Sequence, residues 1–368
     1  MKLCFVASGI SLHAAKWADW FAKEGHQVHL ITPPYNEPMT AFRRNVRLHT
    51  LKSVLPVNWR GSRLWNILPW ANQTATLLTQ VQPDLVEGQF VGMTGYTAWI
   101  ACALLKYSPP FVLQPWGSDI LIEAKKQPYK FFTKMALAKA DMILCDSDTV
   151  QAGVQGLGID MSKVKRMCNG VDTQFFIPPD KNTQRKKIII STRSLETVYD
   201  VETTIRAFKI VLEHFPEMEL ILAGRGKSGS IGEKLQELVT KLSLRDKVTF
   251  TGWLSTNKIR DWLQIAQVYV STSLSDSTSL SLQEAMSCEM PVVVSDIPAN
   301  REWVEHGTNG YLCETGNAQA VANSIKSLLR NPEQAREFGK LNRDIIIKEA
   351  DYNDNMRMVE GYYKELIG

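Results

Sequence analysis

The sequence predicts an α/β protein of two domains, each built on a parallel sheet covered by helices. Short apolar runs alternate with helix-like segments along most of the chain, a pattern typical of βαβ units. The chain has 368 residues, enough for two domains that each bury a core. A double proline at Pro178 and Pro179, followed by a polar run to Lys187, indicates a linker near the middle.

The first half begins with a predicted strand that ends at Ser8 and Gly9, followed by a helix that ends before Gly25. Its predicted strands are residues 2–7, 27–31, 46–51, 84–87, 111–113, 142–145 and 164–167. Its predicted helices are 11–23, 64–81, 94–105, 120–140 with an interruption near Pro128, and 148–157. Residues 33–61 otherwise hold Pro, Asn and Arg, which predicts a long, mobile loop of the kind that carries ligand contacts.

The second half repeats the alternation after the linker. Its predicted strands are residues 187–191, 218–223, 248–251, 266–270 and 291–294. Its predicted helices are 201–213, 231–242, 257–263, one beginning near Ser281, then 318–330, 332–348 and 355–366. The last of these is amphipathic, so it must pack one face on a domain.

Composition indicates an ordinary globular protein. Hydrophobic residues make up 44% and charged residues 22% of the chain. The six cysteines form no C-x-x-C pair and lie mostly in apolar runs, which favours reduced core residues in a cytoplasmic protein. The first apolar run is interpreted as a strand and not as a signal peptide. The longest apolar run, 96–105, falls well below the ~20 residues that span a bilayer, so any membrane contact would be peripheral.

Positive charge is concentrated in the first half. Residues 1–180 hold 18 Lys and Arg against 13 Asp and Glu, which favours an acidic partner or a solvated basic face. The helical region 121–140 carries five lysines among Phe131, Phe132, Met135 and Leu137, a pattern suited to an anionic membrane surface. Its alternative is a core face backed by solvated lysines. Nucleic-acid binding is disfavoured because the basic residues are not interleaved with a base-stacking platform.

One stretch, residues 271–312, holds the densest group of candidate site residues. It predicts a strand, a polar loop, a helix and a second strand, so the loop opens onto a ligand crevice. Ser281 and Glu284 have capping-box spacing and predict the helix start. A helix N-terminus there suits a phosphate. Asp276 and Glu284 add two carboxylates, which would hold the hydroxyls of a sugar or ribose.

Asp276, seven residues and Glu284, followed by AMSCEMPVVVSDIPANREWVEHGTNGYL, resemble the nucleotide-sugar site of the family 4 retaining glycosyltransferases. That family usually has Glu where this chain has Asp276. The resemblance covers the whole chain and implies a GT-B fold, with two Rossmann-like domains facing across a cleft and a C-terminal helix crossing back to the first. The implied boundaries are 1–177 for the acceptor-side domain, 178–348 for the nucleotide-sugar-binding domain and 349–368 for the last helix.

The resemblance also implies roles in the second half. Glu284 would bind the donor ribose and Asp276 the donor sugar, while backbone amides near Ser279, Leu280 and Ser281 would hold the pyrophosphate. Arg193 follows the first strand of this half and would clamp the diphosphate, its alternative being a surface arginine. Gly224, Arg225 and Lys227 lie in a loop that formally matches G-x-G-x-x-G, but its mid-chain position disfavours a dinucleotide site. Tyr199 stands where the family has a second cation, and Lys227 or Arg225 would replace that cation.

Five first-half residues are acceptor-side or catalytic candidates. Gly9 is the single glycine in place of the family's glycine-rich loop. His13 and Lys16 follow it one helical turn apart, and His13 would orient the acceptor or contact the donor phosphate, its alternative being a structural role. Trp116, where the family often has His, would stack on a sugar ring. Asp119 would cap a helix or bind acceptor hydroxyls.

The predicted function is transfer of a sugar from a nucleoside diphosphate sugar to an acceptor hydroxyl with retention of configuration, in cell-surface polysaccharide or glycolipid synthesis. The acceptor would be lipid-linked or a saccharide, and the protein cytoplasmic or peripheral on the inner face of the membrane. The sequence is interpreted as having no Asp-x-Asp and no close pair of His or Cys, so no metal or other cofactor is expected and positive groups would replace the cation. Two alternatives stay open: a GT-B sugar-nucleotide epimerase and a non-catalytic nucleotide-sugar-binding protein.

Overall fold

The computed structural model describes residues 1–34, 45–53, 62–180, 183–226 and 229–368. These residues form two compact units, Met1–Met167 together with Met356–Gly368, and Cys168–Asn355. Each unit contains one all-parallel sheet flanked by helices, so the predicted α/β class with two Rossmann-like sheets is confirmed. The predicted loop 33–61 falls partly, and Lys227 wholly, outside the described residues.

The first unit is built on seven strands in the order β3-β2-β1-β4-β5-β6-β7. The strands are β1 Lys2–Val6, β2 Gln27–Thr32, β3 Val46–Thr50, β4 Leu85–Gln89, β5 Phe111–Gln114, β6 Met142–Cys145 and β7 Val164–Arg166. The helices are α1 Leu12–Lys23, α2 Ser62–Val81, α3 Met93–Ala103, α4 Ser118–Leu121, α5 Tyr129–Lys139 and α6 Asp148–Gly156. Short 3₁₀ turns cover Glu123–Lys125 and Met161–Lys163.

Strand β1 of this sheet reads as an apolar run after Lys2 because helices cover both faces of the sheet. In β1, Leu3 pairs with Val28 on one side and Leu85 on the other, and all three side chains are buried. The predicted helix 120–140 divides in two around Pro128, which precedes the first residue of α5. Pro128 suits the position before α5, because no intrahelical hydrogen bond needs the N–H that proline lacks there.

The second unit is built on six strands in the order β10-β9-β8-β11-β12-β13. The strands are β8 Ile188–Ser191, β9 Glu219–Leu222, β10 Val248–Phe250, β11 Val268–Ser271, β12 Val292–Ser295 and β13 Gly310–Cys313. The helices are α7 Val201–Leu212, α8 Gly229–Lys241, α9 Thr256–Ile265, α10 Leu280–Ser287, α11 Pro298–Arg301, α12 Ala318–Arg330 and α13 Pro332–Glu349, with a 3₁₀ turn at Thr197–Tyr199. The last helix, α14 Tyr352–Ile367, begins in this unit and lies mostly in the first. Sequence reasoning missed β13 and α11, both four residues long.

The last helix, α14, returns its residues from Met356 onward to the first unit. Tyr363 of α14 is fully buried, and its ring stacks on Phe21 of α1 with the centroids 5.3 Å apart. Its hydroxyl donates a hydrogen bond to the buried carboxylate of Glu87 on β4. The expectation that the C-terminal helix packs on the first half is therefore confirmed.

Strand order determines where a ligand crevice lies in each unit. The order reverses between β1 and β4 in the first sheet and between β8 and β11 in the second. Crevices form at the carboxyl ends of such strands, where the neighbouring connections run to opposite faces. Among the described helices none is long and apolar enough to cross a membrane. All six cysteines are free thiols, as predicted, and Cys102 alone of them is not fully buried.

Candidate functional site

The second-unit candidates meet at the switch point between β8 and β11. Arg193 lies two residues beyond β8, and the loop carrying Asp276 connects β11 to α10. Both segments leave the carboxyl ends of neighbouring strands, which places their side chains at one edge of the sheet. The sheet topology thus brings together residues 83 positions apart.

Arg193 is the centre of this group, and its side chain is only 8% exposed. Its Nη1 donates to the hydroxyl oxygens of Ser279 (2.6 Å) and Ser281 (3.0 Å). Its Nη2 forms an ion pair with Oδ2 of Asp276 at 2.6 Å. The ring of Tyr199 covers the guanidinium plane, with Cζ 3.9 Å from the ring centroid. The Nε–H is buried without a hydrogen-bond partner.

The surroundings keep Arg193 charged. Burial alone would lower the pKa of its guanidinium, but the carboxylate of Asp276 reverses that effect, so the pKa lies above its usual value. The hydroxyl of Tyr269 on β11 donates to Ser281 at 2.9 Å and helps to fix the acceptor of Arg193. A buried permanent cation beside a helix N-terminus is an arrangement suited to an anionic ligand.

The start of α10 differs from the predicted one. The N-cap is Ser279, whose hydroxyl oxygen accepts from the N–H of Leu282 at 3.3 Å, and the helix begins at Leu280. Ser281 is therefore the second helical residue and not the cap, so the predicted capping box is wrong. Glu284 lies in the second turn, beyond the reach of a capping-box contact, and its side chain is half-buried. A helix-capping role therefore no longer explains this carboxylate.

The loop after β9 packs directly on the backbone that carries Arg193. A Cβ on Gly224 would overlap the carbonyl oxygen of Arg193, so only glycine allows this close approach. Arg225 is exposed, and its carbonyl accepts from the N–H of Leu195 at 3.4 Å. Gly224 therefore supports the position of Arg193, whereas Arg225 presents its side chain to solvent.

In the first unit, three candidates lie at the carboxyl ends of β1 and β5. Gly9 donates its N–H to the hydroxyl oxygen of Thr32 at 2.8 Å, which holds the turn after β1. The ring of His13 lies 5.7 Å from that of Trp116, measured between centroids. His13 and Lys16 are exposed on α1. The structure thus brings His13 and Trp116 together and leaves Lys16 in solvent.

Asp119 has no exposed surface. Its carboxylate accepts from the backbone N–H groups of Val91 (2.7 Å), Trp116 (3.1 Å), Gly117 (2.9 Å) and Ile120 (3.1 Å). Burial raises the pKa of Asp119 to about 6, although these hydrogen bonds act in the opposite direction. The N-cap of α4 is Gly117 and Asp119 is the second helical residue, so the predicted cap role is wrong. The buried carboxylate instead holds the backbone of the surrounding loops.

Sequence reasoning overlooked one Asp-x-Asp tripeptide, Asp146–Ser147–Asp148, which follows β6. Ser147 is the N-cap of α6 and accepts from the N–H of Val150 at 3.2 Å. Asp148 pairs with Arg166 at 2.6 Å on the exposed surface. The tripeptide thus has a structural role. Across the described residues, no three His, Cys, Asp or Glu side chains are grouped as metal ligands would be.

Tyr199 and Asp200 were singled out only as a departure from the resembled family. Asp200 adopts a left-handed backbone conformation, with φ of 42°, at the start of α7. Its carbonyl accepts from the hydroxyl of Thr272 at 2.7 Å, and the carbonyl of Val198 accepts from the N–H of Leu274 at 2.8 Å. These bonds hold the turn against the loop after β11, which positions the Tyr199 ring over Arg193. A stacking role of this kind has no signal in the local sequence.

Comparison with known families covers most of the chain. Residues 172–344 match the family described as glycosyl transferases group 1, and residues 2–147 match glycosyl transferase 4-like. The chain is 21% identical over 359 residues to N-acetyl-alpha-D-glucosaminyl L-malate synthase of Bacillus anthracis, covering 94% of this chain and 91% of the relative. It is 26% identical over 290 residues to alpha-maltose-1-phosphate synthase of Mycolicibacterium smegmatis, covering 72% and 73%.

Solved structures share the fold along the full length. Sucrose-phosphate synthase from Thermosynechococcus elongatus has a TM-score of 0.86 at 17% identity, covering 100% of this chain and 99% of the other. HepE from Anabaena, solved with UDP and glucose, has a TM-score of 0.81 at 17% identity, covering 99% of each. At these identities the likeness establishes the fold alone. Together with the two family matches, it shows that this chain belongs to the group 1 and 4-like glycosyltransferases of GT-B fold.

Proposed function

We propose that the protein transfers a hexose or a related sugar from a nucleoside diphosphate sugar to an acceptor hydroxyl, with retention at the anomeric carbon. The observation that carries this proposal is the buried guanidinium of Arg193 beside the N-terminus of α10. A permanent cation and free helix N–H groups suit a diphosphate. The solved complex of HepE with UDP and glucose supports the same ligand class.

In the proposed reaction the acceptor oxygen bonds to the anomeric carbon, and the bond from that carbon to the phosphate oxygen breaks. The acceptor proton passes to the leaving diphosphate. Arg193 and the amides of the first turn of α10 would stabilise the charge that gathers on this leaving group. Glu284 would hold the ribose and Asp276 the transferred sugar. Because fixed positive groups stabilise the diphosphate, we propose that transfer needs no metal ion.

The acceptor is proposed to be lipid-linked or a saccharide, used on the cytoplasmic face of a membrane in cell-surface polysaccharide or glycolipid synthesis. The first unit supports a peripheral contact through α5. This helix buries Ala136 and Leu137 but leaves Phe131 58% and Phe132 38% exposed. Lysines share its exposed side at positions 130 and 134. Exposed aromatic rings beside lysines suit an anionic lipid surface better than plain solvent.

The donor is identified by a thermal-shift screen of UDP, GDP and ADP, each alone and as its hexose conjugate. A ligand at about 100 times its dissociation constant adds roughly 2.7 kcal/mol of stability. Radiolabelled donor with mixed acceptors then separates transfer from epimerisation, since an epimerase changes the sugar without an acceptor. We expect activity to survive EDTA. Activity that EDTA removes and Mn²⁺ restores would contradict the metal-free mechanism, and absence of binding to every nucleotide would contradict the function.

The membrane proposal is tested by co-sedimentation with phosphatidylcholine vesicles, with and without phosphatidylglycerol, at low and high salt. We expect binding to the anionic vesicles at low salt and its loss in Phe131→Gln. Leu341→Gln, which replaces an apolar side chain of the second unit that is 44% exposed, is the control and should bind normally. Equal sedimentation with neutral and anionic vesicles would leave α5 as a solvated face.

A further inference from the structure

Asp276 occupies the guanidinium that the proposed diphosphate needs. The ion pair between Asp276 and Arg193 is short, at 2.6 Å, and the two side chains are only 14% and 8% exposed. A carboxylate and a diphosphate are both oxyanions, and Arg binds either through the same N–H groups. The two anions therefore compete for one cation.

Arg193 is the fixed member of this pair. Its Nη1 is held by Ser279 and Ser281, and its plane is covered by Tyr199. Asp276 instead lies in irregular backbone between β11 and α10, and its Oδ1 accepts from the N–H of the adjacent Ser277 at 3.0 Å. When a diphosphate approaches, the carboxylate is the group that can change partner.

The guanidinium also retains donor capacity for a second oxygen. Its Nε–H is buried and makes no hydrogen bond, although Nη2 beside it is paired with Asp276. Elsewhere in this unit, Arg301 binds a carboxylate through both donors of the Nε–Nη2 edge. Its Nε donates to Oδ1 of Asp296 and its Nη2 donates to Oδ2. An oxyanion that replaced Asp276 and engaged both positions would satisfy a donor that Asp276 leaves unpaired.

We propose that Asp276 is a specificity-determining residue that competes with the donor's diphosphate for Arg193 and is released when hydroxyls of the donor sugar accept it as their partner. This inference rests on the proposed function. A complete donor offers Asp276 a new partner, whereas a bare nucleoside diphosphate does not. The site therefore favours the sugar-bearing donor over the nucleoside diphosphate product, and the return of Asp276 to Arg193 assists product release.

The test measures dissociation constants for UDP and UDP-glucose, or for the equivalent pair whose base stabilises the parent most in the screen. Asp276→Asn keeps the side-chain shape but removes the charge, so the competing bond weakens. We expect UDP to bind about tenfold more tightly, because charged hydrogen bonds exceed neutral ones by roughly 1.4 kcal/mol, or tenfold. UDP-glucose should gain less, because the sugar loses its charged partner. The preference for UDP-glucose over UDP should therefore fall, by at most about tenfold.

A double-mutant cycle separates competition from simple repulsion between Asp276 and the phosphates. If Asp276 acts through Arg193, Asp276→Asn should no longer tighten UDP binding in an Arg193→Gln background. Ligand-observed NMR reaches the millimolar constants expected there. Glu202→Gln is the matched control, since it removes a carboxylate from an exposed ion pair with Arg206 on α7 and should leave both constants unchanged. Asp276→Glu, which keeps the charge, should retain the preference for UDP-glucose.

Two results would overturn the inference while leaving the function intact. One is UDP binding in Asp276→Asn that is no tighter than in the parent. The other is equal tightening in the Arg193→Gln background, which would mean repulsion alone. If the parent binds no nucleotide in the screen, the proposed function fails and the inference fails with it.

Discussion

Residue contacts around Arg193 hold one buried guanidinium in a fixed position in the second unit. Two hydroxyls, one carboxylate and one aromatic ring surround this guanidinium, and only the carboxylate carries an opposing charge. Glu284 lies in the second turn of α10, beyond the N-cap Ser279 and the first turn of the helix. Because Ser279 caps the helix, the role of Glu284 can be tested without disturbing the cap.

Glu284→Gln should weaken nucleoside diphosphate binding by about tenfold or more. The amide oxygen accepts ribose hydroxyls as a neutral group, and a neutral hydrogen bond contributes roughly half as much as a charged one. The free energy of unfolding of the nucleotide-free protein should change by less than about 0.5 kcal/mol. Calorimetric titration and chemical denaturation measure the two effects. Glu237→Gln, on the exposed side of α8, is the control, and equal nucleotide affinity in Glu284→Gln would remove the ribose assignment.

Among the elements, β8 and β9 support the site through their carboxyl-end loops. The loops approach so closely at Gly224 that no side chain fits between them. No residue within either strand is a candidate anion ligand. The strands instead fix the position of the backbone at Arg193 and of the Gly224 loop that packs against it. Loop packing is therefore as important to this site as the charged side chain itself.

Gly224→Ala should lower both stability and nucleotide affinity. The added methyl must displace the backbone of Arg193, at a cost of about 1–3 kcal/mol for overpacking. Gly232→Ala is the matched control, because a Cβ there meets nothing within 4 Å and lies within α8. The free energy of unfolding of Gly232→Ala should rise by up to about 1 kcal/mol, because alanine has a higher helix propensity than glycine. Denaturant titration and nucleotide binding of both variants check the prediction, and an unperturbed Gly224→Ala would show that the loops separate readily.

At the scale of the whole molecule, α14 connects the end of the chain to the first unit. The carboxylate of Glu360 on this helix lies 2.9 Å from Nε2 of His26, and the hydroxyl of Tyr363 donates a hydrogen bond to the buried Glu87. Burial raises the pKa of Glu87 to about 7, although hydrogen bonds from Tyr363 and Gln89 oppose the rise. The contact of the last helix with β4 therefore depends on a carboxyl group that titrates near neutral pH.

Glu87→Gln should stabilise the protein at pH 8 by about 3 kcal/mol and have little effect at pH 4. The folded protein holds the Glu87 proton up to about pH 7, whereas the unfolded chain releases it near 4.5. The favourable contribution of the protonated group is thus complete below 4.5 and is lost as the pH rises to 7. A rise in the pKa of Glu87 from 4.5 to about 7 corresponds to about 3 kcal/mol of unfolding free energy.

Denaturant titration of parent and variant from pH 4 to pH 8 measures this difference. Glu365→Gln, exposed on the same helix, controls for the loss of a charge from α14 and should show no such trend. A variant that is less stable than the parent at pH 8 would mean that Glu87 is preferentially ionised in the folded protein.

Local pattern predicted the α/β class and most of the strands and helices. Strands such as β1 and β12 are unbroken apolar runs because both faces are buried, and that requirement is visible in the sequence. The spacing of Asp276 and Glu284 identified the family, since it joins a strand, a loop and a helix within a short segment. The first half of the chain was assigned in the same way. Apart from the region 120–140, which divides into α4, a 3₁₀ turn and α5, its element ends differ from the predicted ones by two residues at most.

Tertiary structure decided what those residues contact. Ser279 rather than Ser281 caps α10 because the loop from β11 turns into the helix two residues earlier than the capping pattern indicates. The sequence left Asp119 as a helix cap or as a residue that binds acceptor hydroxyls. In the fold its carboxylate accepts hydrogen bonds from four backbone N–H groups. The pairing of Asp276 with Arg193 joins loops 83 residues apart, and no local preference encodes it. Only the parallel sheet, which aligns the carboxyl ends of β8 and β11, brings the two charges together.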